Sequence, residues 1–199
     1  MSPIIQQLLT RQFEQATESF VSANLASEWQ QLQQHLLPQL QQLALSSDYA
    51  WRMLRQFAAE FWQMYQQGLL AQPLARPYFH QQVSQSVSDK TNDMQWMQSI
   101  RHYRQHMMLR WIYRDVNNLC SLIELTDELS EFAEASIDAA VAYAEQALIA
   151  RHGLPIGEDS GQVQKMIVIG MGKLGAQELN LSSDIDLIFS YPEAGETNG

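Results

Sequence analysis

From Ile4 to Leu148 apolar residues return at intervals of three and four, glycine is nearly absent, and Gln, Leu, Ala and Met dominate. At Gly153 that period stops. A Gly/Asp/Ser linker, Gly153 to Gln164, leads into the β-branched run Met166 to Ile169. One such change of period excludes a pure helical bundle and a pure β fold. The expected fold class is mainly α, a helical array over residues 1–160, followed over 161–199 by the first strand-turn-helix-strand of an incomplete α/β domain. With 199 residues, 46% of them hydrophobic and 17% charged, the chain can bury a real core, which sets aside disorder and fibrous folds.

Within the array, Ile4, Leu8 and Leu9 open a first amphipathic helix. Trp29, Leu32, Leu36 and Leu40 mark a second, with Pro38 a kink or an early stop. Trp51, Leu54, Ala58, Phe61 and Tyr65 mark a third. Gly68 to Ser88, with Pro73 and Pro77, reads as loop. The next helix starts at Thr91 or Asn92 and carries a core stripe of Trp96, Ile100, Tyr103, Met107 and Trp111. For the last helix Thr126 is the expected N-cap, with Asp127 and Glu128 in the first turn and Gly153 past the end. Asp127, Glu131, Glu134, Asp138 and Glu145 share one face, read most simply as solvated surface, opposite Leu129, Phe132, Ile137, Ala140, Ala144 and Leu148.

Lys and Arg total 12 against 22 Asp and Glu, a formal charge of −10, so no overall attraction to nucleic acid or anionic lipid is expected. Cys120 is the single cysteine, which excludes an intramolecular disulfide and suits a reducing compartment. The amino-terminal residues lack the pattern of a secretory signal, and no stretch approaches the roughly 20 apolar residues of a spanning helix. A soluble, cytoplasmic protein without a nucleic-acid or membrane partner is the expectation.

The run IGMGKLGAQELNLSSDIDLIF, from Ile169 to Phe189, holds two signals. Gly170, Gly172 and Gly175 have the GxGxxG spacing of a dinucleotide turn. A dinucleotide fold also needs a full crossover helix and an acid near the end of a second, parallel strand. Here a helix over Leu174 to Leu181 has about two turns, and Glu193 is the one acid near that place. A Walker A loop fails, since Leu174 follows Lys173 where Ser or Thr is needed. The second signal is Asp184 and Asp186, after Ser182 and Ser183, on an expected strand from Ile185 to Tyr191. Alternate strand residues face one side, so both carboxylates project together, and paired carboxylates beside phosphate suit Mg²⁺. Backbone N–H groups of the Gly-rich turn and the Lys173 charge can receive phosphate oxygens. A phosphate cradle beside a two-carboxylate metal site points to nucleotidyl or phosphoryl transfer. The bland reading of the acids is a pair of exposed strand-end carboxylates.

GMGKLGAQELNLSSDIDLIF resembles the signature of the glutamine synthetase adenylyltransferase family, a branch of the DNA polymerase β-like nucleotidyltransferase superfamily. IRHYRQHMMLRWIYRDV is more loosely similar to an Arg-rich helix of that family. The resemblance implies that residues 161–199 are the truncated start of an α/β nucleotidyltransferase domain. It implies Mg²⁺ on Asp184 and Asp186 as catalytic metal ligands, and nucleotide phosphates at Gly170, Gly172, Lys173 and Ser183. It also implies glutamine synthetase as protein substrate, ATP, ADP and inorganic phosphate as small partners, and a nitrogen-signalling regulatory protein. The family carries this unit twice, and Met171, Asn180 and Ile185 resemble the amino-terminal copy, which removes AMP from a tyrosine by phosphorolysis. Proximity to Met1 agrees. Ala176 stands where a Gly is common. The superfamily draws a third carboxylate from a later strand, so the 199 residues are expected to be part of something longer and to have little activity alone. The remaining alternatives are an NAD-dependent dehydrogenase fragment built on the GxGxxG turn and a non-catalytic helical docking module.

His102 and His106 stand one helical turn apart, but Tyr103 follows His102 where a zinc HExxH helix has Glu, and no third ligand suggests itself. Arg101, Arg104, Arg110 and Arg114 do not form one stripe. Pairing with acids such as Asp115 or those of the last helix is expected for some of them, and contact with a protein partner is the alternative.

Overall fold

The computed structural model describes residues 2–90 and 92–199. Its elements run α1 (Pro3–Ser22), α2 (Ala26–Ser46), α3 (Asp48–Gln56), α4 (Ala58–Gln66), α5 (Arg76–Val87), α6 (Asp93–Val116), α7 (Leu122–His152), β1 (Pro155–Gly157), β2 (Ile167–Gly170), α8 (Gly172–Gly175), β3 (Leu187–Ser190) and β4 (Gly195–Thr197). The chain is mainly helical with short strands at its end, the expected class. It divides into two compact units. The first comprises residues 1–74 and 89–125, and the second 75–88 and 126–199.

The first unit is built on aromatic packing. Ser2 caps α1 through its side chain, with Pro3 at the first turn, where a missing N–H costs nothing. The buried stripe of α1 is Leu9, Ala16 and Phe20, whereas Ile4 and Leu8, expected to open it, are exposed. Phe20 stacks on Trp29 of α2 at 4.7 Å, and Phe13 lies 5.2 Å from Trp51 of α3. Both buried indoles keep a polar partner, Trp29 Nε1 donating to Thr17 Oγ1 (2.8 Å) and Trp51 Nε1 to the Gln12 carbonyl (3.2 Å). Pro38 neither stops nor leaves α2 straight, and the distortion sits at Leu36 (φ −123°, ψ 16°). The expected third helix is broken at Phe57 into α3 and α4, with Trp51, Leu54, Ala58 and Phe61 buried on the two pieces.

Helix α6 is capped by Asn92, whose Oδ1 accepts from the Gln95 N–H at 3.0 Å. Thr91, the other expected start, lies outside the described residues. Tyr103, Met107 and Trp111 are buried as the stripe predicts, but burial then spreads to every residue from Met107 to Arg114. That includes two arginines. Arg110, fully buried, donates from Nε to the Leu69 carbonyl (2.8 Å) and from Nη2 to the Gln72 carbonyl (2.6 Å). Arg114 donates to the Leu119 carbonyl (3.0 Å) and pairs with Glu124 at 2.5 Å. These carbonyls of irregular segments therefore supply acceptors that the two buried guanidiniums need.

Two boundaries differ from expectation. Residues 76–87, expected as loop, form α5, because Pro77 falls in its first turn, where proline is tolerated. The last helix starts at Leu122, not after Thr126. Ser121 Oγ accepts from the Glu124 N–H at 3.1 Å, in an S-x-x-E sequence that forms an N-cap five residues before Thr126.

The second unit contains α5, most of α7 and the α/β segment. The acidic face of α7 is partly engaged, at Glu131, Glu134 and Glu145, while Asp127 and Asp138 stay exposed as expected. Arg76 Nε meets Glu131 at 2.6 Å and its Nη2 meets Glu134 at 3.1 Å, while His80 lies 3.7 Å from Asp138. Glu145 accepts from the Met166 N–H at 3.5 Å. Phe79 of α5 packs edge-on against Phe132 of α7, whereas Ala144 and Leu148, expected on the apolar face, are exposed. Strands β2 and β3 pair antiparallel, with Val168 opposite Phe189 and Gly170 opposite Leu187. The stretch expected as linker supplies β1, and the polar end of the chain supplies β4. They pair antiparallel, Ile156 opposite Glu196.

Two expected outcomes follow for the first unit. Lysine cannot reproduce the two directed bonds of a guanidinium, so Arg110→Lys should cost roughly 1–3 kcal/mol in urea unfolding. Burial, reinforced by His102 and opposed by Glu60, lowers the His106 pKa to about 4. The unfolded chain then binds this proton first, so stability complete above pH 6.5 is lost as pH falls toward 4, at roughly 1.4 kcal/mol per unit. His106→Phe should flatten the pH dependence of the urea midpoint over that window. An unchanged slope contradicts the assignment.

Candidate nucleotide and metal site

The Gly-rich turn and the acid pair meet at one end of the β2–β3 hairpin. The ladder continues one step beyond the strands, the Met171 N–H donating to the Asp186 carbonyl at 2.9 Å. This bond places the backbone of Asp186 beside the turn. Gly172 has φ +56°, a left-handed conformation that favours glycine, and a methyl group there would stand 3.9 Å from Asp186 Oδ2. Gly175 is required by close approach, since a Cβ would lie 2.5 Å from the Gly170 carbonyl oxygen. Gly170 ends β2 opposite Leu187. The N–H groups of Gly172, Lys173 and Leu174 open α8 and have no carbonyl one turn back to bond to. Lys173 is exposed beside them, and Leu174 is buried under the turn.

Asp184 and Asp186 are exposed and lie in the extended segment before β3, not on the strand itself, which starts at Leu187. The helix expected over Leu174 to Leu181 is a single turn, Gly172–Gly175. Gly175 and the left-handed Gln177 end it, and the freed residues form the loop that carries the acids. Asn180 folds this loop. Its Oδ1 accepts from the Ser182 N–H, the Ser182 hydroxyl and the Ser183 hydroxyl, each at 3.0 Å, and its N–H donates to Ser183 Oγ at 3.1 Å. The Ser183 hydroxyl is thus engaged with Asn180 as donor and as acceptor. The loop is seated on α7, where the Leu179 N–H donates to the buried Ser130 Oγ (3.4 Å) and Gln177 Nε2 to Glu134 Oε1 (2.5 Å).

Asp184 and Asp186 offer hard oxygen donors close together in sequence and open to solvent, a set that fits Mg²⁺, which keeps several waters and binds through one or two carboxylates plus phosphate. Among the described residues no group of three or more His, Cys, Asp or Glu could hold a metal. That covers His102 and His106 as well. His102 Nε2 lies 3.3 Å from Glu60, and His106 packs against Phe57 and Tyr103.

The dinucleotide reading does not survive this geometry. Its second strand must be parallel to the first, and β3 is antiparallel to β2. Glu193, its ribose-binding candidate, spends its carboxylate on the Asp159 and Ser160 N–H groups, the Ser160 hydroxyl and Gln164 Nε2. The Ser160 hydroxyl above all holds that carboxyl below its usual range.

Asn180 carries a readable signal, since Asn-x-Ser is a turn former. Ser130 and Glu134 carry none, because their partners lie more than 40 residues away. Among the described residues no helix is long and apolar enough to cross a membrane.

A sequence profile described as glutamate-ammonia ligase adenylyltransferase matches residues 37–199. The chain is 51% identical over 161 residues to a protein of Acinetobacter baylyi named bifunctional glutamine synthetase adenylyltransferase/adenylyl-removing enzyme. That alignment covers 81% of this chain and 17% of the relative. A protein of the same name from Pseudomonas aeruginosa is 38% identical over 163 residues, 82% of this chain and 17% of its own length. One from Chromobacterium violaceum is 52% identical over 101 residues, 51% of this chain and 11% of its length. The chain thus spans about a sixth of the length of the first two relatives. The profile match over most of the chain and the identity to these relatives place it in the glutamate-ammonia ligase adenylyltransferase family.

Proposed function

We propose that this chain carries the opening of a nucleotidyltransferase site that acts on the adenylylated tyrosine of glutamine synthetase. One observation carries the reading. The Met171–Asp186 bond sets a carboxylate-bearing segment against a Gly-Lys turn, in a family whose members are named for adenylyl transfer and removal. Met171, Asn180 and Ile185 favour the deadenylylating half. In that reaction a phosphate oxygen attacks the adenylyl phosphorus in line. The new P–O bond gives ADP, the P–O bond to tyrosine breaks, and the phenolate takes up a proton.

The residues divide this work by chemistry. N–H groups of Gly172 and Lys173, with the Lys173 ammonium, bind phosphate oxygens, and Gly170 with Gly175 gives the turn its close packing. Ser183, through Asn180, orients the loop. Asp184 and Asp186 would hold Mg²⁺, which supplies charge neutralisation at the phosphodiester. Because the described acids here number fewer than a three-ligand group, we propose that the 199 residues bind nucleotide weakly and turn over little by themselves. The proposal extends to a cytoplasmic setting, to ATP, ADP and phosphate as small partners, and to a nitrogen-signalling protein as regulator.

Titration of the purified chain with ADP tests the binding site. Binding should require Mg²⁺ and weaken by about tenfold or more in Asp184→Ala and in Asp186→Ala, as expected when a charged ligand of a bound ion is removed. Binding indifferent to Mg²⁺ and to both substitutions overturns the metal-nucleotide reading, and absence of binding favours a helical docking module. Rapid ADP formation from adenylylated glutamine synthetase and phosphate by this chain alone would refute its dependence on further residues.

A further inference from the structure

Four helix ends in this chain close in the same way. The residue after the C-cap adopts a left-handed conformation, and its N–H and that of its successor bond back to the helix. At the ends of α1, α4, α6 and α8 these residues are Asn24 (φ 59°), Gly68 (φ 71°), Asn118 (φ 55°) and Gln177 (φ 58°). The paired bonds are the same throughout, as in Gly68 to Tyr65 with Leu69 to Met64, and Gln177 to Leu174 with Glu178 to Lys173. Glycine tolerates this region because it has no Cβ, and asparagine because its short amide can bond locally. Glutamine has neither property. A strained backbone persists only where the surrounding contacts over-determine it.

The Gln177 amide reaches α7. Its Nε2 donates to Glu134 Oε1 at 2.5 Å, the other carboxylate oxygen of Glu134 receives Arg76 Nη2 at 3.1 Å, and Arg76 Nε is bound to Glu131 at 2.6 Å. Glu134 is thereby fixed from the α5 side and offers Gln177 a stationary acceptor. Two residues on, the Leu179 N–H is bonded to Ser130, and Leu179 itself is buried. Asn180 then ties up Ser182 and Ser183, so little freedom remains before Asp184. We propose that Gln177 is a positioning residue that holds the loop of Asp184 and Asp186 on α7 through Glu134. The inference rests on the reading of those acids as a metal-nucleotide site.

The test uses Mn²⁺ as a spectroscopic substitute for Mg²⁺. Free Mn²⁺ is followed by electron spin resonance with ADP present, and urea unfolding is measured on the same variants. Gln177→Gly removes the tether while relaxing the backbone, so its urea midpoint should hold or rise while Mn²⁺ affinity falls about fivefold, the scale of one lost charge-assisted bond. Glu134→Ala should weaken Mn²⁺ to a similar degree, and Glu134→Gln, which keeps an acceptor oxygen, should stay within about twofold of wild type. Unchanged affinity in Gln177→Gly, with normal wild-type binding, overturns the positioning role alone. Parallel loss of stability and affinity in that variant assigns Gln177 a packing role and overturns it also. A wild-type chain that fails to bind Mn²⁺ and ADP removes the nucleotide-site reading and this inference together.

Discussion

The second unit depends on a polar stripe along α7 formed by Ser130, Glu131 and Glu134. Two carboxylates three residues apart on one helix face repel one another in isolation. Arg76 answers both, reaching Glu131 through Nε and Glu134 through Nη2, and in doing so fastens α5 to α7. The same stripe also reaches the loop of the acid pair, since Ser130 and Glu134 hold the backbone of Leu179 and the side chain of Gln177. Arg76 is more than half exposed, so the pair contributes little as an isolated ion pair. Its value lies in fixing where an acceptor stands.

This support matters because the hairpin that carries the candidate site cannot stand by itself. A two-stranded antiparallel ribbon is marginal in water, and β2 and β3 are four residues each. The turn at one end gains rigidity from local contacts, with Gly175 against Gly170, Leu174 buried beneath, and Met171 bonded to Asp186. The acid loop has only Asn180 as a local organiser, and it reaches α7 through Gln177 and Leu179. The N–H groups proposed to receive phosphate and the carboxylates proposed to hold Mg²⁺ thus arrive from two sides of one hairpin end, each held by a different part of the unit.

The helices were legible because their core faces repeat every three or four residues, as Tyr103, Met107 and Trp111 do in α6. Their boundaries were less so. The Thr126-Asp127-Glu128 group imitates a helix start as well as Ser121 and Glu124 do, and the cap that forms is Ser121 Oγ on the Glu124 N–H. Pro77 read as a breaker although a first-turn position suits it. The solvated reading of the acidic face of α7 holds for the exposed Asp127 and Asp138 but not for Glu131, Glu134 and Glu145, whose partners Arg76, Gln177 and Met166 lie far off in the chain, where no local pattern encodes them. Arg110 was equally opaque, since it is bound by the backbone carbonyls of Leu69 and Gln72, whereas Arg114 pairs with Glu124 of the last helix, the kind of acid expected for it. The motif from Gly170 to Asp186 was legible as chemistry, because glycine spacing and paired acids are local. Its geometry was not, since the antiparallel register of β2 and β3, which places Asp186 beside Gly172, is set by pairing across the hairpin and not by a local pattern.

Through Leu179 and Gln177, α7 holds the loop of the acid pair in place before any ligand arrives. Amide hydrogen exchange at Leu179 reads this contact, because Ser130 Oγ accepts that N–H. In the ligand-free chain, protection at Leu179 well above the unstructured rate, lost in Ser130→Ala while the amides of α7 stay protected, is the predicted result. Exchange at the unstructured rate in the wild-type chain, with α7 itself protected, would contradict the account.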